Sequence, residues 1–205
     1  MSLAFVFRAF PEALIGGRGA AAENTEPVKT LLSENDIRDG VARMADEIAG
    51  HYSGGGTVTI LGVLTGSLVL VADLIRRLDL PLQLGVIQTR SYRGGDTRPG
   101  ELEINDSMLP DIKGRDVLLV DDIFDTGRTL QALVEQMQQL EPRSVRSAVL
   151  LLKEGRQEVE MRPDHVAFVI PDAFVVGYGL DYQDAYRNLP HLAQLEDEDL
   201  AAKVE

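Results

Sequence analysis

The sequence predicts an α/β fold in which a mostly parallel central sheet is flanked by helices. Three observations carry that expectation: short, continuous apolar runs of strand length, helical apolar patterns between them, and turn-forming or acidic residues where the runs stop. Parallel strands need long crossover connections, and the alternation of strand and helix along this chain supplies them.

The first helix is expected from Ser33, a capping residue with Asp36 three positions on, with Ile37, Val41, Met44, Ala45 and Ile48 forming its apolar face. Ser53-Gly54-Gly55-Gly56 then reads as a flexible turn, and residues 57–64 as a buried strand. Thr65-Gly66-Ser67 turns the chain into a helix over 68–78 that carries Leu70, Ala72, Leu74 and Ile75. A second strand over 82–88 is followed by a polar, glycine-rich connection from Ser91 and Tyr92 to Gly100, a loop of the kind that carries function. The third strand, 116–120, ends at two carboxylates and runs through Asp125-Thr126-Gly127 into a helix with Leu130, Leu133, Val134, Met137 and Leu140. Strands over 145–152 and 166–170 complete the series, the last closed by Pro171. In such sheets ligands sit beyond the carboxyl ends of the strands, where each of these loops lies.

Composition narrows the function. With 205 residues, 44% hydrophobic and 26% charged, the chain has the make-up of an ordinary globular protein with one core. A net charge of -13 opposes sequence-independent binding to nucleic acid, which Lys and Arg drive by displacing counterions from phosphates. The absence of cysteine removes disulfides, thiolate metal sites and cysteine nucleophiles, and is compatible with a reducing cytoplasm. No apolar run reaches the roughly 18 residues of a membrane helix, so no membrane partner is expected. Residues 1–29 are expected to be a poorly ordered extension; Arg8 and Arg18 against Glu12 give it only a faint likeness to a targeting segment. The main domain is expected over 30–195, and 196–205 reads as an acidic, solvated tail.

The stretch from Val117 to Thr129 is the most informative. An apolar strand stops at Asp121 and Asp122, and Asp125, Thr126, Gly127, Arg128 and Thr129 lead into a helix. Backbone N–H groups at a helix start, with the hydroxyls of Thr126 and Thr129, can surround a phosphate, and Gly127 permits close backbone approach. The paired acids can accept hydrogen bonds from ribose hydroxyls. Any one Asp here could be a strand end or a helix cap. Three together beside a phosphate site cost electrostatic energy unless sugar hydroxyls, a cation or substrate charge offsets it.

This segment resembles the phosphoribosyl pyrophosphate signature of type I phosphoribosyltransferases. Leu64-Thr65-Gly66-Ser67, Ser91-Tyr92, Leu150-Leu151-Leu152-Lys153, the run from Ile170 to Tyr182 and Tyr186-Arg187-Asn188-Leu189-Pro190 narrow the likeness to the hypoxanthine-guanine branch, in the correct order from about Leu31 to Leu195. The resemblance implies the type I phosphoribosyltransferase fold, with a small hood region built from terminal segments. It also implies a purine salvage transferase that converts hypoxanthine or guanine plus phosphoribosyl pyrophosphate to the nucleoside monophosphate and pyrophosphate.

Site roles follow from the same resemblance. Asp121 and Asp122 match the acids that hold the ribose hydroxyls, and Asp125 the general base near purine N7. Asp125, Thr126, Gly127, Arg128 and Thr129 match the 5-phosphate loop. Lys153 matches the lysine that donates to the 6-oxo group, Phe174 the ring that stacks on the base, and Val175 and Asp181 further groups of the purine site. Leu64, Thr65, Gly66 and Arg187 match the pyrophosphate-binding set, Ser91 and Tyr92 the lid, and Asp181, Asp121 and Asp122 the acids expected around Mg2+. Relatives commonly carry lysine at the position of Thr65, after a cis peptide bond, so threonine is a departure. Homo-oligomers, dimeric or tetrameric, are expected.

A regulatory RNA-binding protein on the same fold, of the pyrimidine attenuation type, would keep the Val117–Thr129 signature, but Asp125 and the acidic charge oppose it. A dinucleotide-dependent oxidoreductase would need a glycine fingerprint after the first strand, which the sequence lacks. A fold-retaining protein without activity is a third reading, opposed by the intact acid, lysine, phenylalanine and arginine set.

Overall fold

The computed structural model describes residues 29–91, 102–105, 107–196 and 199–200. The expected N-terminal extension apart from Lys29, the lid from Tyr92 to Gly100, and most of the acidic tail lie outside the described residues.

Six strands form the main sheet: β2 (Val58–Leu64), β3 (Leu82–Ser91), β4 (Leu102–Asn105), β5 (Asp116–Phe124), β6 (Ser144–Lys153) and β7 (His165–Ile170). Their order is β4-β3-β2-β5-β6-β7, and every neighbouring pair is parallel except β3 with β4. The helices α1 (Glu34–His51), α2 (Leu68–Ile75) and α3 (Arg128–Gln138) cover its two faces.

The apolar runs make strands because both faces of the sheet are covered. In β5, Val117, Leu118, Leu119 and Val120 are all fully buried, yet alternate residues serve different cores. Leu118 and Val120 join Ile60 and Leu150 against Ile37, Val41 and Ile48 of α1. Val117 and Leu119 join Leu61 and Val63 against Leu130, Leu133 and Met137 of α3. The start of α1 is held by a reciprocal capping box: Ser33 Oγ accepts from the Asp36 N–H at 3.2 Å, and the Asp36 carboxylate accepts from the Ser33 N–H at 2.9 Å.

Several boundaries differ from the sequence expectation for local reasons. Helix α2 ends at Ile75, not Leu78, because the Arg77 N–H donates to the Leu74 carbonyl (2.9 Å) and tightens the turn, with Pro81 close behind. Strand β5 runs through the acids to Phe124 because β6 keeps pairing with it as far as Phe124–Leu152. Strand β3 reaches Ser91 because the unanticipated β4 pairs with it antiparallel. A second sheet of three antiparallel strands, ordered β1-β9-β8, joins the segment before α1 to the last part of the chain: β1 (Lys29–Leu32), β8 (Phe174–Val176) and β9 (Leu192–Leu195). It is the expected hood. No helix among the described residues is long and apolar enough to cross a membrane.

Leu118 sits at the centre of the sheet and is fully buried. Its replacement by alanine leaves a cavity that flanking strands cannot close, so Leu118→Ala is expected to lower unfolding free energy by about 2–5 kcal/mol. Denaturant unfolding measures this; a loss under about 1 kcal/mol would show a core that collapses around the deletion.

Candidate active site

The site begins with a parting of strands. β2 and β5 pair from Val58–Asp116 to Gly62–Val120 and no further, while β2 stays with β3 to Leu64–Gln88 and β5 stays with β6 to Phe124–Leu152. From this pair the chain winds outward in opposite directions, to β3 on one side and to β6 and β7 on the other. That is the topological switch point where open α/β sheets bind ligands. A cavity of about 330 Å³ lies there.

One wall is the turn after β2. The peptide bond between Leu64 and Thr65 is cis. Ser67 is fully buried and its hydroxyl donates to the Val63 carbonyl at 2.5 Å, while the Val71 N–H donates to the Ser67 carbonyl (2.8 Å) and starts α2. Gly66 leaves no room for a side chain, since a Cβ would stand 1.6 Å from Asp122 Oδ2. Backbone and carboxylate are thus packed face to face across the crevice.

The other wall is the end of β5 and the start of α3. Asp121 is 8% exposed; its Oδ1 accepts from the Asp122 N–H (3.0 Å), and Asp122 Oδ1 accepts from the Ile123 N–H (2.8 Å). Burial pushes both carboxyls above the ordinary carboxylate range, and the charge of Asp122 adds to the rise at Asp121; at Asp122, hydrogen bonds and the Arg187 guanidinium offset part of the rise. Gly127 has φ +86°, and a Cβ there would meet Val159 and the Phe124 ring within 2.5 Å. It caps α3 without a side chain of its own; the Thr126 hydroxyl oxygen accepts a long bond from the Arg128 N–H (3.5 Å), and Thr126 and Thr129 flank the helix start in the cavity wall.

Asp181 and Arg187 close the cavity from the hood side. Arg187 forms an ion pair with Asp181 Oδ1 at 2.7 Å and donates to the Gly179 carbonyl at 2.7 Å, while Asp181 Oδ2 accepts from the Asp184 N–H (3.0 Å). The turn they share is tight, with positive φ at Tyr178, Gln183, Asp184 and Tyr186.

Of the residues singled out in the sequence, Leu64, Thr65, Gly66, Asp121, Asp122, Asp125, Thr126, Gly127, Thr129, Asp181 and Arg187 share this one cavity. Arg128 does not line it; its exposed side chain pairs with Glu158. Lys153, at the end of β6, stands beside it, 9% exposed, with its ammonium 3.5 Å from Asp125 Oδ2 and 3.7 Å from Asp172 Oδ1. Phe174 and Val175 lie on the hood. Val175 is buried, whereas Phe174 is 40% exposed and rests edge-on against Tyr182 at 5.4 Å. Ser91 ends β3, its backbone paired with Leu102. Sequence reasoning passed over Thr89, which lines the cavity, and Arg156, whose Nε lies 3.0 Å from Asp125 Oδ1. Neither sits in a motif, and only Gly155 before Arg156 hinted at a turn.

Comparison with known proteins agrees with this architecture. The phosphoribosyl transferase domain family matches residues 27–183. A hypoxanthine-guanine phosphoribosyltransferase of Streptococcus pneumoniae is 38% identical over 170 residues, covering 83% of this chain and 94% of that one. Among solved structures, a hypoxanthine-guanine phosphoribosyltransferase of Bacillus anthracis is 34% identical with a TM-score of 0.77, covering 82% of this chain and 99% of its own. A hypoxanthine phosphoribosyltransferase of Trypanosoma cruzi, solved as a mutant in a ternary substrates complex, is 36% identical with a TM-score of 0.79 and coverages of 84% and 97%.

The raised carboxyls have a consequence for stability. Each binds its proton more tightly in the folded chain than in the unfolded one, so its contribution is full at acidic pH and is lost as pH rises above the ordinary carboxylate range. Asparagine at 121 keeps an oxygen for the Asp122 N–H but cannot ionise. Ligand-free Asp121→Asn is therefore expected to melt at a higher temperature than the parent at neutral pH, with the gap closing near about pH 4. Calorimetry of both proteins across this range measures it, and a lower melting temperature at neutral pH would contradict it.

Proposed function

The chain belongs to the hypoxanthine-guanine phosphoribosyltransferase family, and from that premise we propose that it joins a 6-oxopurine to the ribose 5-phosphate of phosphoribosyl pyrophosphate and releases pyrophosphate. One observation carries the reading at this chain's own residues. A helix start suited to a phosphate and two adjacent acids suited to ribose hydroxyls line one crevice, and Asp125 in its wall pairs with Lys153 standing beside it.

In this reading Asp121 and Asp122 accept hydrogen bonds from the ribose hydroxyls, which offsets the cost of burying the two acids together. The loop Asp125–Thr129 holds the 5-phosphate through backbone N–H groups and the hydroxyls of Thr126 and Thr129. Leu64, Thr65, Gly66 and Arg187 hold pyrophosphate, the guanidinium being suited to its paired oxygens. Lys153 donates to the 6-oxo group, Phe174 offers its exposed face to the base, and the backbone of Val175 reads the purine edge. A purine ring nitrogen attacks C1 of the ribose as the bond to pyrophosphate breaks. Asp125 takes the proton that the base gives up, and its carboxylate stabilises positive charge developing on the sugar. The lid that begins at Ser91 and Tyr92 shields that charge from water.

Magnesium is the metal this reading implies. Among the described residues no group of three or more metal-ligating side chains converges, and the acids at hand are hard oxygen donors on the cavity wall. That set fits an ion held partly by substrate oxygens and water. Asp181, Asp121 and Asp122 would offer it single oxygens from separate walls rather than a three-ligand cage, and it would neutralise charge on the departing pyrophosphate. The protein acts in the cytoplasm as a homo-oligomer in this proposal. The net charge of -13 gives no support to an RNA-binding regulator.

Spectrophotometric assays with phosphoribosyl pyrophosphate, magnesium and separate hypoxanthine, guanine, xanthine, adenine and uracil test the reading. Turnover of a 6-oxopurine but not of adenine or uracil is expected, with a fall of about a hundredfold or more in Asp125→Asn. Failure to turn over any base would sink it. Thr65 lacks the cation common in relatives, so Thr65→Lys is expected to tighten pyrophosphate as a product inhibitor; an unchanged inhibition constant would show that Thr65 does not face pyrophosphate.

A further inference from the structure

Arg156 sits where neither a motif nor the cavity lining accounts for it. It belongs to the turn after β6, whose chain is fixed on both sides. The Glu154 N–H donates to the Ile170 carbonyl at 2.9 Å, tying the turn to the end of β7, and the Glu158 N–H donates to the Thr126 carbonyl at 2.9 Å, tying it to the loop before α3. Gly155, with φ +72°, reverses the chain between them, and the Gln157 side chain donates to the Lys153 carbonyl. Arg156 therefore leaves a built turn, although its side chain is 46% exposed.

Its Nε donates to Asp125 Oδ1 at 3.0 Å, and NH1 lies 3.6 Å from Asp172 Oδ2. Lys153 makes the complementary pair of contacts, to Asp125 Oδ2 at 3.5 Å and Asp172 Oδ1 at 3.7 Å. Two acids and two cations form a closed square, with each cation on one oxygen of each carboxylate. The shorter bond to Asp125 comes from Arg156, and hydrogen bonding to Asp125 raises the guanidinium pKa further.

We propose that Arg156 is a positioning residue for base transfer: it holds the Asp125 carboxylate in place when Lys153 turns from that carboxylate to the 6-oxo group of the incoming purine. The inference rests on Asp125 being the group that takes the purine proton. Of the two contacts on the Asp125 carboxylate, that from Lys153 is the longer, at 3.5 Å, and it is the one given up when the ammonium turns to the purine, whereas that from Arg156 is 3.0 Å. Arg156 bonds the other carboxylate oxygen from outside the cavity, so it stays when the lysine moves. It keeps one oxygen of Asp125 engaged and leaves the other to meet the proton.

Steady-state kinetics with hypoxanthine and phosphoribosyl pyrophosphate test this in the full chain. Arg156→Ala is expected to lower kcat about tenfold, as loss of one charge-assisted hydrogen bond at a half-exposed site would, with the KM for phosphoribosyl pyrophosphate held within about twofold. Arg156→Lys keeps the charge and is expected to regain part of kcat. In an Asp125→Asn background, removing Arg156 is expected to cost little more, because its route of action is already gone. Unchanged kcat in Arg156→Ala, or a loss confined to the KM for phosphoribosyl pyrophosphate, would overturn the proposal. So would an equal loss of kcat in both backgrounds. Absence of turnover in the unmodified protein overturns the transferase reading itself, and full turnover by Asp125→Asn overturns the assignment of the base. Both of those results are read without any Arg156 variant.

Discussion

Everything at the site depends on β2 and β5 ceasing to pair after Gly62 and Val120. Up to that point the two strands are ordinary central strands, satisfying each other's backbone groups between two apolar layers. Beyond it each is supported only by its outer neighbour, and the gap exposes backbone and carboxylate to one enclosed volume. The divergence also explains why polar residues begin at Asp121. One residue earlier every side chain is in a core, and one residue later there is no strand to fill the space.

The crevice concentrates unfavourable charge. Asp121 is buried beside a half-buried Asp122, and among the described residues the one guanidinium in the cavity wall is engaged with Asp181. A fold optimised for stability alone would not keep them, which is the usual signature of a site whose compensating groups arrive with a ligand. The cations nearest the other end of the crevice, Lys153 and Arg156, are matched against Asp125 and Asp172 instead. The site is thus divided into an acidic end that is only partly compensated and a four-charge end whose formal charges balance.

Much of this was legible from local chemistry. Parallel strands covered on both faces need continuous apolar sequence, so β2, β5 and β6 announce themselves, and the Ser33–Asp36 box marks α1 to the residue. The strand ends then bring the carboxylates and the Thr126–Thr129 loop to one place without further information. The hood was not legible element by element. Strands β1, β8 and β9 hold three or four residues each, with no periodicity to detect, and they exist only because distant segments pair. β4 is hidden for the same reason. Arg156 was missed because an arginine in a polar turn has the same sequence appearance whether it points at solvent or at Asp125; only the bonds from Glu154 and Glu158 decide the matter.

Asp125, Lys153 and Asp172 stand at the carboxyl ends of three successive parallel strands, in a register fixed by Phe124–Leu152 and Lys153–Ile170. The group that would handle the proton and the group that would read the 6-position are therefore electrostatic neighbours as well as ladder neighbours. Changing Lys153 also alters the field at Asp125, so in the proposed reading selectivity at that edge of the base would not drift independently of rate. Phe174 and Val175 hang from a separate three-stranded sheet and share no charge with the square. In the proposed reading, substitutions on the hood would alter contacts to the base without changing the field at Asp125, whereas substitutions at the strand ends would change both.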